Sequence, residues 1–418
     1  MIKVFKFGGA SVKDAEGVRN LANIVKREGQ GNLMIIVSAM GKTTNLLEKL
    51  THSYVNRQDD TERLLAEVKQ YHEKIMLELF GSSSHLVFDE IANTFIEIEW
   101  MMEDEPHPDY DFNYDQIVSI GEILSSRIVS SYINEIGLIT KWIDARGYIH
   151  TDNTYREGEI IIDKTCTSIQ ELNNILEKQF VITQGFIGGT SENFTTTLGR
   201  EGSDYSAAIF ASCLKAESVT IWKDVPGVMN CDPKLFGNSF KYDNLSYAEA
   251  LEMAYYGATV IHPKTIKPLR NADIPLFVKP FLFPEDPGTR IDGTSLVKSD
   301  FPAIIVKKEQ VLVSLSIPDL SFISEDVLSR IFKVLENLNI RLNMMQVSAL
   351  SFSMCFDNNE KKFNKLFEEF KEFKIRYNAG LELVTLRHYK VEDITKITLN
   401  RIVIMEQLSR NTAQFILK

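Results

Sequence analysis

Short apolar runs alternate with segments of helical periodicity through most of this 418-residue chain. The runs predicted to be buried strands are residues 3–7, 33–37, 140–143, 180–183 and 218–222. Between the first two runs, apolar residues such as Val18, Leu21 and Val25 recur at the spacing of a helix face. Strands that alternate with helices form a largely parallel sheet with helices on both faces. The pattern therefore predicts an α/β fold, an open and mostly parallel sheet sandwiched by helices.

A different order of elements begins after the loop at residues 284–288 (PEDPG). The segments that follow alternate as strand, helix, strand, strand, helix and strand, at residues 303–317, 326–338, 340–348, 351–356, 361–373 and 381–388. This β-α-β-β-α-β order is typical of a ferredoxin-like α+β unit. The tail looks like a shortened second copy, with a helix at about 392–398 and strands near 401–405 and 412–417. We therefore predict two domains, residues 1–295 with a helical insert at about 61–103, and residues 296–418.

The composition excludes several classes of partner. A formal net charge of −11 argues against nucleic acid, because phosphate backbones are bound by basic surfaces. Apolar runs stay well short of the ~20 residues of a membrane span, and the N-terminus lacks the apolar core of a signal peptide. The cysteines, at positions 166, 213, 231 and 355, show neither metal-binding nor disulfide spacing. We expect reduced thiols, a cytoplasmic location, and no nucleic-acid or membrane partner.

Three loops follow predicted strands and contain small residues. They are residues 8–11 (GGAS), 38–44 (SAMGKTT) and 185–189 (GFIGG). Ligands of open parallel sheets gather at the carboxyl ends of the strands, so these loops should converge. Glycines let backbone N–H groups approach phosphate oxygens closely, although the Gly8-Gly9 pair alone fits a tight turn equally well.

Four charged residues lie beside these loops. Lys6 ends an apolar strand between two phenylalanines, which favours a phosphate-contacting role over a solvated lysine. Arg200 and Asp204 flank Gly202 at a predicted helix start, where they fit either carboxylate binding or helix capping. Glu122 follows a glycine on an apolar helix, and its spacing fits a surface glutamate as well as a functional one.

Several motifs, taken in order, resemble the signatures of the aspartokinases. They are residues 6–12 (KFGGASV), 144–146 (DAR), 184–188 (QGFIG), 198–205 (LGREGSDY), 222–228 (WKDVPGV), 245–250 (LSYAEA) and 256–263 (YGATVIHP). The resemblance is close over about residues 1–295 and looser beyond. It implies an amino-acid-kinase fold followed by ACT regulatory modules, the second of them shortened. The implied reaction transfers the γ-phosphoryl group of ATP to the β-carboxylate of L-aspartate, the first step towards lysine, threonine and methionine.

The resemblance also implies roles for individual residues. Lys6 resembles the lysine that stabilises charge on the transferring phosphoryl group, Asp204 the acid that orients it, and Arg200 the clamp on a substrate carboxylate. Glu122 resembles the partner of the substrate ammonium. The residues implied to line the substrate pocket with them are Ser38, Thr44, Phe186 and Ser203. Those implied to contact ATP are Lys6, Gly8, Gly9, Ser11, Gly202, Ser203, Asp224, Met229, Lys234 and Val260.

The implied cofactors are ATP and Mg²⁺, with no resident metal site. An aspartate β-carboxylate has an ordinary pKa of about 3.9 and is ionised at neutral pH, so no general base is needed. The task is to bring two anions together, which cationic side chains and backbone amides perform by position and charge. Water should be excluded, because an acyl phosphate hydrolyses readily.

The chain departs from the aspartokinase pattern in places. Lys223 and Lys234 stand where threonine and arginine are usual, and Thr259 replaces a lysine, so either lysine could supply the missing charge. Glu201 is expected to point to solvent. ACT modules usually pair across a homodimer and bind an amino-acid effector, here near residues 320–326 and 343–348. Asn343 stands where lysine-sensing relatives carry an acid, so regulation and plain dimerisation both stay open.

Two alternatives remain at this point. A kinase of the same fold could act on another acid, as glutamate 5-kinase or acetylglutamate kinase does. The chain could also be an inactive amino-acid-binding regulator built on ACT modules. The pairing of Arg200 with Glu122 and the ACT-like tail disfavour the first alternative. The presence of Lys6 and Asp204 disfavours the second.

Overall fold

A computed structural model describes residues 1–29, 31–258, 261–294 and 302–418. The described residues form two compact units. The larger contains residues 1–228, 241–254 and 261–294, and the smaller contains residues 229–240, 255–258 and 302–418. The predicted boundary between residues 295 and 296 lies outside the described residues.

Strands and helices alternate through the first part of the chain. The strands are β1 (Ile2–Phe7), β2 (Asn32–Val37), β3 (Thr140–Trp142), β4 (Phe180–Gln184), β5 (Ile187–Gly189), β6 (Thr195–Thr197), β7 (Ser218–Lys223), β8 (Asn244–Ser246), β9 (Leu276–Pro280) and β10 (Thr289–Asp292). The helices are α1 (Ala15–Glu28), α2 (Thr43–Val55), α3 (Thr61–Phe80), α4 (Leu86–Glu103), α5 (Tyr110–Val118), α6 (Ile120–Glu135), α7 (Ile162–Gln170), α8 (Asn173–Leu176), α9 (Gly202–Leu214), α10 (Tyr247–Tyr256) and α11 (Pro263–Asn271). The predicted insert at 61–103 corresponds to α3 and α4.

The main sheet has the strand order β3-β4-β2-β1-β7-β9-β10-β8. The first six strands in this order, β3, β4, β2, β1, β7 and β9, run parallel to one another. Strand β10 lies antiparallel to β9. This arrangement confirms the predicted open, mostly parallel sheet. In its centre Lys6 is in register with Ile36 on one side and with Ile221 on the other.

The two faces of β1 are covered differently. Phe5 and Phe7 belong to the large apolar core that includes residues of α1 to α6. Lys6 points to the opposite face, because side chains alternate along a strand, and α9 packs there. Helix α1 begins at Ala15, where the Asp14 side chain accepts a hydrogen bond from the Gly17 N–H at 2.8 Å.

Asp115 links α5 to β6. It lies inside α5, whereas Ser119 occupies the N-cap position of α6. Asp115 is buried and accepts hydrogen bonds from Arg156 N–H, Thr197 N–H and Thr197 Oγ1, at 2.8, 2.9 and 2.7 Å. Strand β6 consists of three β-branched threonines, Thr195 to Thr197, and α9 starts at Gly202.

The expectation of reduced thiols is wrong for one pair. Cys166 on α7 and Cys213 on α9 form a disulfide, with Cα atoms 4.8 Å apart. The two helices pack against each other, although the cysteines are 47 residues apart in sequence. Cys231 and Cys355 are free thiols. Among the described residues, every helix is too short or too polar to cross a bilayer.

The C-terminal elements form a second sheet. They are β11 (Ala303–Ser316), α12 (Glu325–Asn337), β12 (Leu342–Val347), β13 (Ser351–Asp357), α13 (Glu360–Glu369), β14 (Lys374–Arg387), α14 (Val391–Thr398), β15 (Val403–Leu408) and β16 (Thr412–Leu417). The sheet order is β12-β13-β11-β14-β16-β15, and all neighbours are antiparallel. The first six elements confirm the predicted ferredoxin-like order.

Two long strands are shared by both halves of this sheet. The register between β11 and β14 shifts after Lys307, so that one end of the pair lies beside β13 and the other beside β16. Helices α12 and α13 pack over the first half, around Leu335 and Leu366. The second half is covered by α14, which contributes only the partly buried Ile394 and Ile397.

Candidate active site

The loops after β1, β2 and β4 are joined by backbone hydrogen bonds at one edge of the main sheet. Gly41 N–H donates to the Gly9 carbonyl at 2.9 Å, and Ser38 N–H donates to the Phe7 carbonyl at 3.1 Å. Gly185 N–H donates to the Val37 carbonyl at 3.0 Å. A Cβ atom on Gly9 would lie 2.6 Å from the Ala39 carbonyl oxygen, so only glycine allows this approach. The three glycine-containing loops therefore converge.

A buried ion pair lies beside this edge. Lys6 Nζ is 2.7 Å from Asp204 Oδ1, and the Asp204 side chain is fully buried in the first turn of α9. Lys223, the last residue of β7, approaches the other oxygen, with Nζ 3.1 Å from Oδ2. Burial acts to raise the pKa of Asp204, but the charges of Lys6 and Lys223 outweigh it and hold that pKa below its usual value. Asp204 is therefore ionised at neutral pH.

Small residues hold α9 against the loop after β4. A Cβ atom on Gly185 would lie 2.5 Å from Cβ of Ser203, and one on Gly202 would lie 2.7 Å from the Phe186 ring. Phe186 has a φ of 73°, in the left-handed region. Its N–H donates to Ser206 Oγ at 3.0 Å, and its carbonyl accepts from Leu198 N–H at 2.8 Å. This packing fixes the start of α9, and with it Asp204.

Glu122 lies in the first turn of α6 and is 3% exposed, so its interpretation as a surface glutamate is wrong. Its Oε1 accepts a hydrogen bond from Ala39 N–H at 3.4 Å, in the loop after β2. Burial raises the pKa of this carboxyl to about 8, although the charge of Lys6 acts in the opposite direction. A cation placed beside Glu122 would restore the carboxylate form.

The other predicted residues of the larger unit lie on these loops, before α9 or after β7, with varied exposure. Ser11 is buried, and its hydroxyl donates to the Trp222 carbonyl at 3.4 Å, which links the loop after β1 to β7. The half-buried residues are Gly8, Gly9, Ser38 and Thr44. Arg200 is exposed in the turn before α9, and Asp224 is exposed just after β7.

Three predicted nucleotide contacts lie outside the described residues of the larger unit. Met229 and Lys234 lie in residues 229–240, which are part of the smaller unit. There the Lys234 N–H donates to Asp232 Oδ1 at 2.9 Å. Val260 lies outside the described residues, as does Thr259.

The sequence alone could not assign two charged residues of the larger unit. Lys223 was predicted only as one of two lysines that could supply a missing charge, and its place beside Asp204 follows from the register of β7. Asp115 links α5 to β6, and burial raises the pKa of its carboxyl to about 6. No motif in the sequence signals that role.

The constellation suits the binding of a transferring anion. The buried ammonium group of Lys6 and the partly buried one of Lys223 lie next to converging loop amides and the N-terminus of α9, a setting that stabilises negative charge on phosphoryl oxygens. Within the part of the chain that the structure describes, no three His, Cys, Asp or Glu side chains group to hold a metal ion. Both oxygens of Asp204 face ammonium groups.

Comparisons with known proteins agree with this chemistry. The model of the amino acid kinase family matches residues 1–280. The chain is 32% identical over 378 residues to aspartokinase 1, chloroplastic, of Arabidopsis thaliana, a match covering 88% of this chain and 65% of that protein. It is 32% identical over 358 residues to lysine-sensitive aspartokinase 3 of Escherichia coli strain K12, covering 85% of this chain and 78% of that protein.

The fold has a close counterpart among solved structures. E. coli aspartokinase III in complex with aspartate and ADP, in its R-state, is similar with a TM-score of 0.87 at 28% identity. That similarity covers 100% of this chain and 96% of the other.

Proposed function

The chain belongs to the amino acid kinase family and, within it, to the aspartokinases, and from this premise we propose that it phosphorylates L-aspartate. The γ-phosphoryl group of ATP is transferred to the β-carboxylate, giving 4-phospho-L-aspartate and ADP. The observation that carries the proposal is the buried Lys6–Asp204 ion pair at the edge where the three loops converge. The solved relative binds aspartate and ADP, which supports the same pair of ligands here.

The reaction needs position and charge rather than proton transfer. At neutral pH the β-carboxylate is already ionised, so it can attack the γ-phosphorus without a base. Lys6 stabilises negative charge on the transferring phosphoryl group, and Asp204 holds the Lys6 ammonium in place. Glu122 binds the substrate ammonium, which lowers the raised pKa of its carboxyl and keeps it ionised in the complex.

The remaining assignments follow the aspartokinase resemblance and stay predictions. Arg200 clamps the substrate carboxylate, and its exposure leaves it able to turn towards a ligand. Ser38, Thr44, Ser203 and the Phe186 backbone line the aspartate pocket. The residues proposed to contact ATP are Gly8, Gly9, Ser11, Gly202, Ser203, Asp224, Met229, Lys234 and Val260.

We propose that Mg²⁺ arrives with ATP rather than as a resident metal. Mg²⁺ is commonly held by substrate phosphates together with one or two carboxylates. Because the described residues offer no cluster of metal ligands, the phosphates would supply most of its ligands. The ion would neutralise phosphate charge, while the protein residues orient the two anions.

We further propose that residues 1–295 form the catalytic domain and residues 296–418 a pair of ACT modules, the second shortened. The ferredoxin-like order of the smaller unit supports this division. ACT modules imply a homodimer, and an amino-acid effector near residues 320–326 and 343–348. Light scattering of the purified protein, with and without candidate amino acids, tests the dimer.

The function is tested by trapping the acyl phosphate with hydroxylamine. Purified protein, ATP and Mg²⁺ are incubated with aspartate, glutamate or N-acetylglutamate, and the hydroxamate is measured. We expect product with aspartate alone, and none from an Asp204→Asn variant that retains its fold. Product with glutamate or N-acetylglutamate instead would favour the other kinases of this fold. No product with any acid would favour the inactive regulator.

A further inference from the structure

Lys223 lies on the strand next to the one that carries Lys6. It ends β7, the strand next to β1, and Ile221 of β7 is in register with Lys6. Side chains in register on neighbouring strands share a face, and residues two apart on one strand share it too. Lys223 therefore projects from the same face as Lys6, one step closer to the carboxyl edge where the loops converge.

The two ammonium groups contact the two oxygens of one carboxylate. Lys6 Nζ lies 2.7 Å from Asp204 Oδ1, and Lys223 Nζ lies 3.1 Å from Oδ2. The Lys223 side chain is 17% exposed, and the Asp204 side chain is fully buried. Two ammonium groups and one carboxylate give these three side chains together a net charge of +1. A net positive charge next to the converging loop amides favours the binding of an anion.

Other acidic groups near Lys223 lie further away or closer to solvent. Glu201 Oε2 is 3.8 Å from the Lys223 ammonium, and its side chain is 36% exposed, so Glu201 points only partly to solvent. Asp224, the next residue, is exposed. Burial acts to lower the pKa of Lys223, but Asp204 and Glu201 outweigh it and raise that pKa, so the side chain is cationic at neutral pH.

We propose that Lys223 is a second catalytic lysine, which contacts the β- and γ-phosphates of ATP beside Lys6. This inference rests on the proposed kinase function. The chain has threonine at position 259, where the aspartokinase pattern has lysine, and Lys223 supplies the positive charge that this position lacks. Asp204 then positions both ammonium groups.

In the transfer step, Lys6 and Lys223 stabilise different phosphate oxygens. An oxygen of the aspartate β-carboxylate forms a bond to the γ-phosphorus, while the bond from that phosphorus to the β,γ-bridging oxygen breaks. The electron pair of the broken bond stays on the β-phosphate of ADP, and no proton is transferred. Lys6 stabilises the oxygens of the moving phosphoryl group. Lys223 stabilises the charge that develops on the β-phosphate.

The test compares neutral and charge-retaining variants of Lys223. Lys223→Gln keeps a hydrogen-bond donor for Asp204 but removes the charge, and Lys223→Arg keeps the charge. Lys141→Met, an exposed lysine on β3 of the same sheet, is the matched control. We expect Lys223→Gln to lower kcat about 100-fold, the usual cost of removing one charge-stabilising donor. Lys223→Arg should recover part of this loss, and Lys141→Met should match the wild type.

A binding measurement separates phosphate contact from a structural role. If Lys223 contacts the phosphates, Lys223→Gln should bind ADP about tenfold more weakly than the wild type and should bind adenosine equally well. A lysine that only holds Asp204 would affect both ligands equally or neither, and either result overturns the proposal. A folded Lys223→Gln with wild-type kcat and KM for ATP also overturns it. If this variant does not fold, Lys223→Met replaces it in both measurements.

Different results would contradict the proposed kinase function and the proposed role of Lys223. Wild-type protein that forms no product with aspartate contradicts the kinase function. The comparison of ADP with adenosine on wild type and Lys223→Gln still decides whether Lys223 contacts phosphate. Normal wild-type activity with an unimpaired Lys223→Gln contradicts the role of Lys223 alone.

Discussion

The two units arrange polar groups differently because their sheets run differently. In the larger unit the central strands are parallel, so the loops after β1, β2 and β4 share one edge. In the smaller unit all neighbouring strands are antiparallel, and their carboxyl ends alternate between opposite edges. One polar cluster among its described residues instead joins three strands across the sheet. Lys307, Gln310, Asn343 and Asp357, from β11, β12 and β13, are linked by hydrogen bonds.

The difference shows which sites a sequence can reveal. A parallel sheet brings residues together by their place in the strand, so loops that follow strands predict a common site. An antiparallel sheet brings residues together by register, which turns and bulges determine. We therefore expect substitutions at the shared edge of the larger unit to change catalysis strongly. Those in the smaller unit should change mainly stability.

The largest effect is expected at Lys6. Lys6→Ala removes the ammonium from the transferring phosphoryl group and leaves Asp204 with Lys223 alone, so kcat should fall about 1000-fold or more. Steady-state kinetics of hydroxamate formation measure this. Lys3→Ala changes a lysine at the amino end of the same strand and should leave kcat unchanged. Equal losses in both variants would contradict the special role of the carboxyl edge.

Glu122→Gln should act on substrate binding. The amide cannot neutralise the substrate ammonium, so KM for aspartate should rise about 10- to 100-fold while kcat changes less. Glu135→Gln, at the other end of α6, exchanges an exposed glutamate and serves as the control. A KM that stays at the wild-type value would exclude Glu122 from the aspartate pocket.

The same carboxyl predicts how stability depends on pH without substrate. Burial raises the pKa of Glu122 to about 8 in the folded protein, above its usual 4.5. Between pH 4.5 and about 8 the Glu122 carboxyl is therefore protonated in the folded protein and ionised in the unfolded one. The free energy of unfolding falls as pH rises through this range, because the unfolded state releases the proton. Between pH ~5.5 and ~7.5 the loss should be of the order of 2 kcal/mol, and Glu122→Gln should abolish it. Urea unfolding at both pH values measures the difference between the two proteins.

Within the smaller unit, the two halves of the sheet should differ in stability. Leu366 of α13 is fully buried, and Leu366→Ala should lower the free energy of unfolding by about 3 kcal/mol. Ile394 of α14 is only partly buried, and Ile394→Ala should cost about 1 kcal/mol. Denaturant unfolding of the two variants compares the halves. Equal losses would mean that α14 covers its half as tightly as α12 and α13 cover theirs.

The sequence predicted the elements and the strand-end loops because these depend on local patterns. The predicted strand at residues 412–417 coincides with β16, and the insert at 61–103 with α3 and α4. Long-range features escaped prediction. The disulfide between Cys166 and Cys213 depends on the packing of α7 on α9, and the three hydrogen bonds to Asp115 depend on where β6 lies. Lys223 meets Asp204 through the register of β7 with β1, which the strand pattern alone does not specify.

The smallest effect is expected from lysine as an effector. The aspartokinase resemblance implies an acid at position 343 in lysine-sensing relatives, and here Asn343 forms its hydrogen bonds within the sheet. Its oxygen accepts from Lys307 Nζ at 2.7 Å, and its amide group donates to Gln310 Oε1 and Asp357 Oδ1 at 2.8 and 2.9 Å. The Asn343 side chain therefore offers no carboxylate to a lysine ligand, and its oxygen already accepts a hydrogen bond from the Lys307 ammonium. Allosteric coupling commonly changes affinity ~5- to 150-fold, whereas we expect millimolar lysine to change aspartate kinase activity less than about twofold.

Asn343→Asp, which places a negative charge beside Asp357, is the matched variant. Sensitivity gained only by that variant would assign lysine sensing to this position, and strong inhibition of the wild type would show that lysine is recognised by other residues.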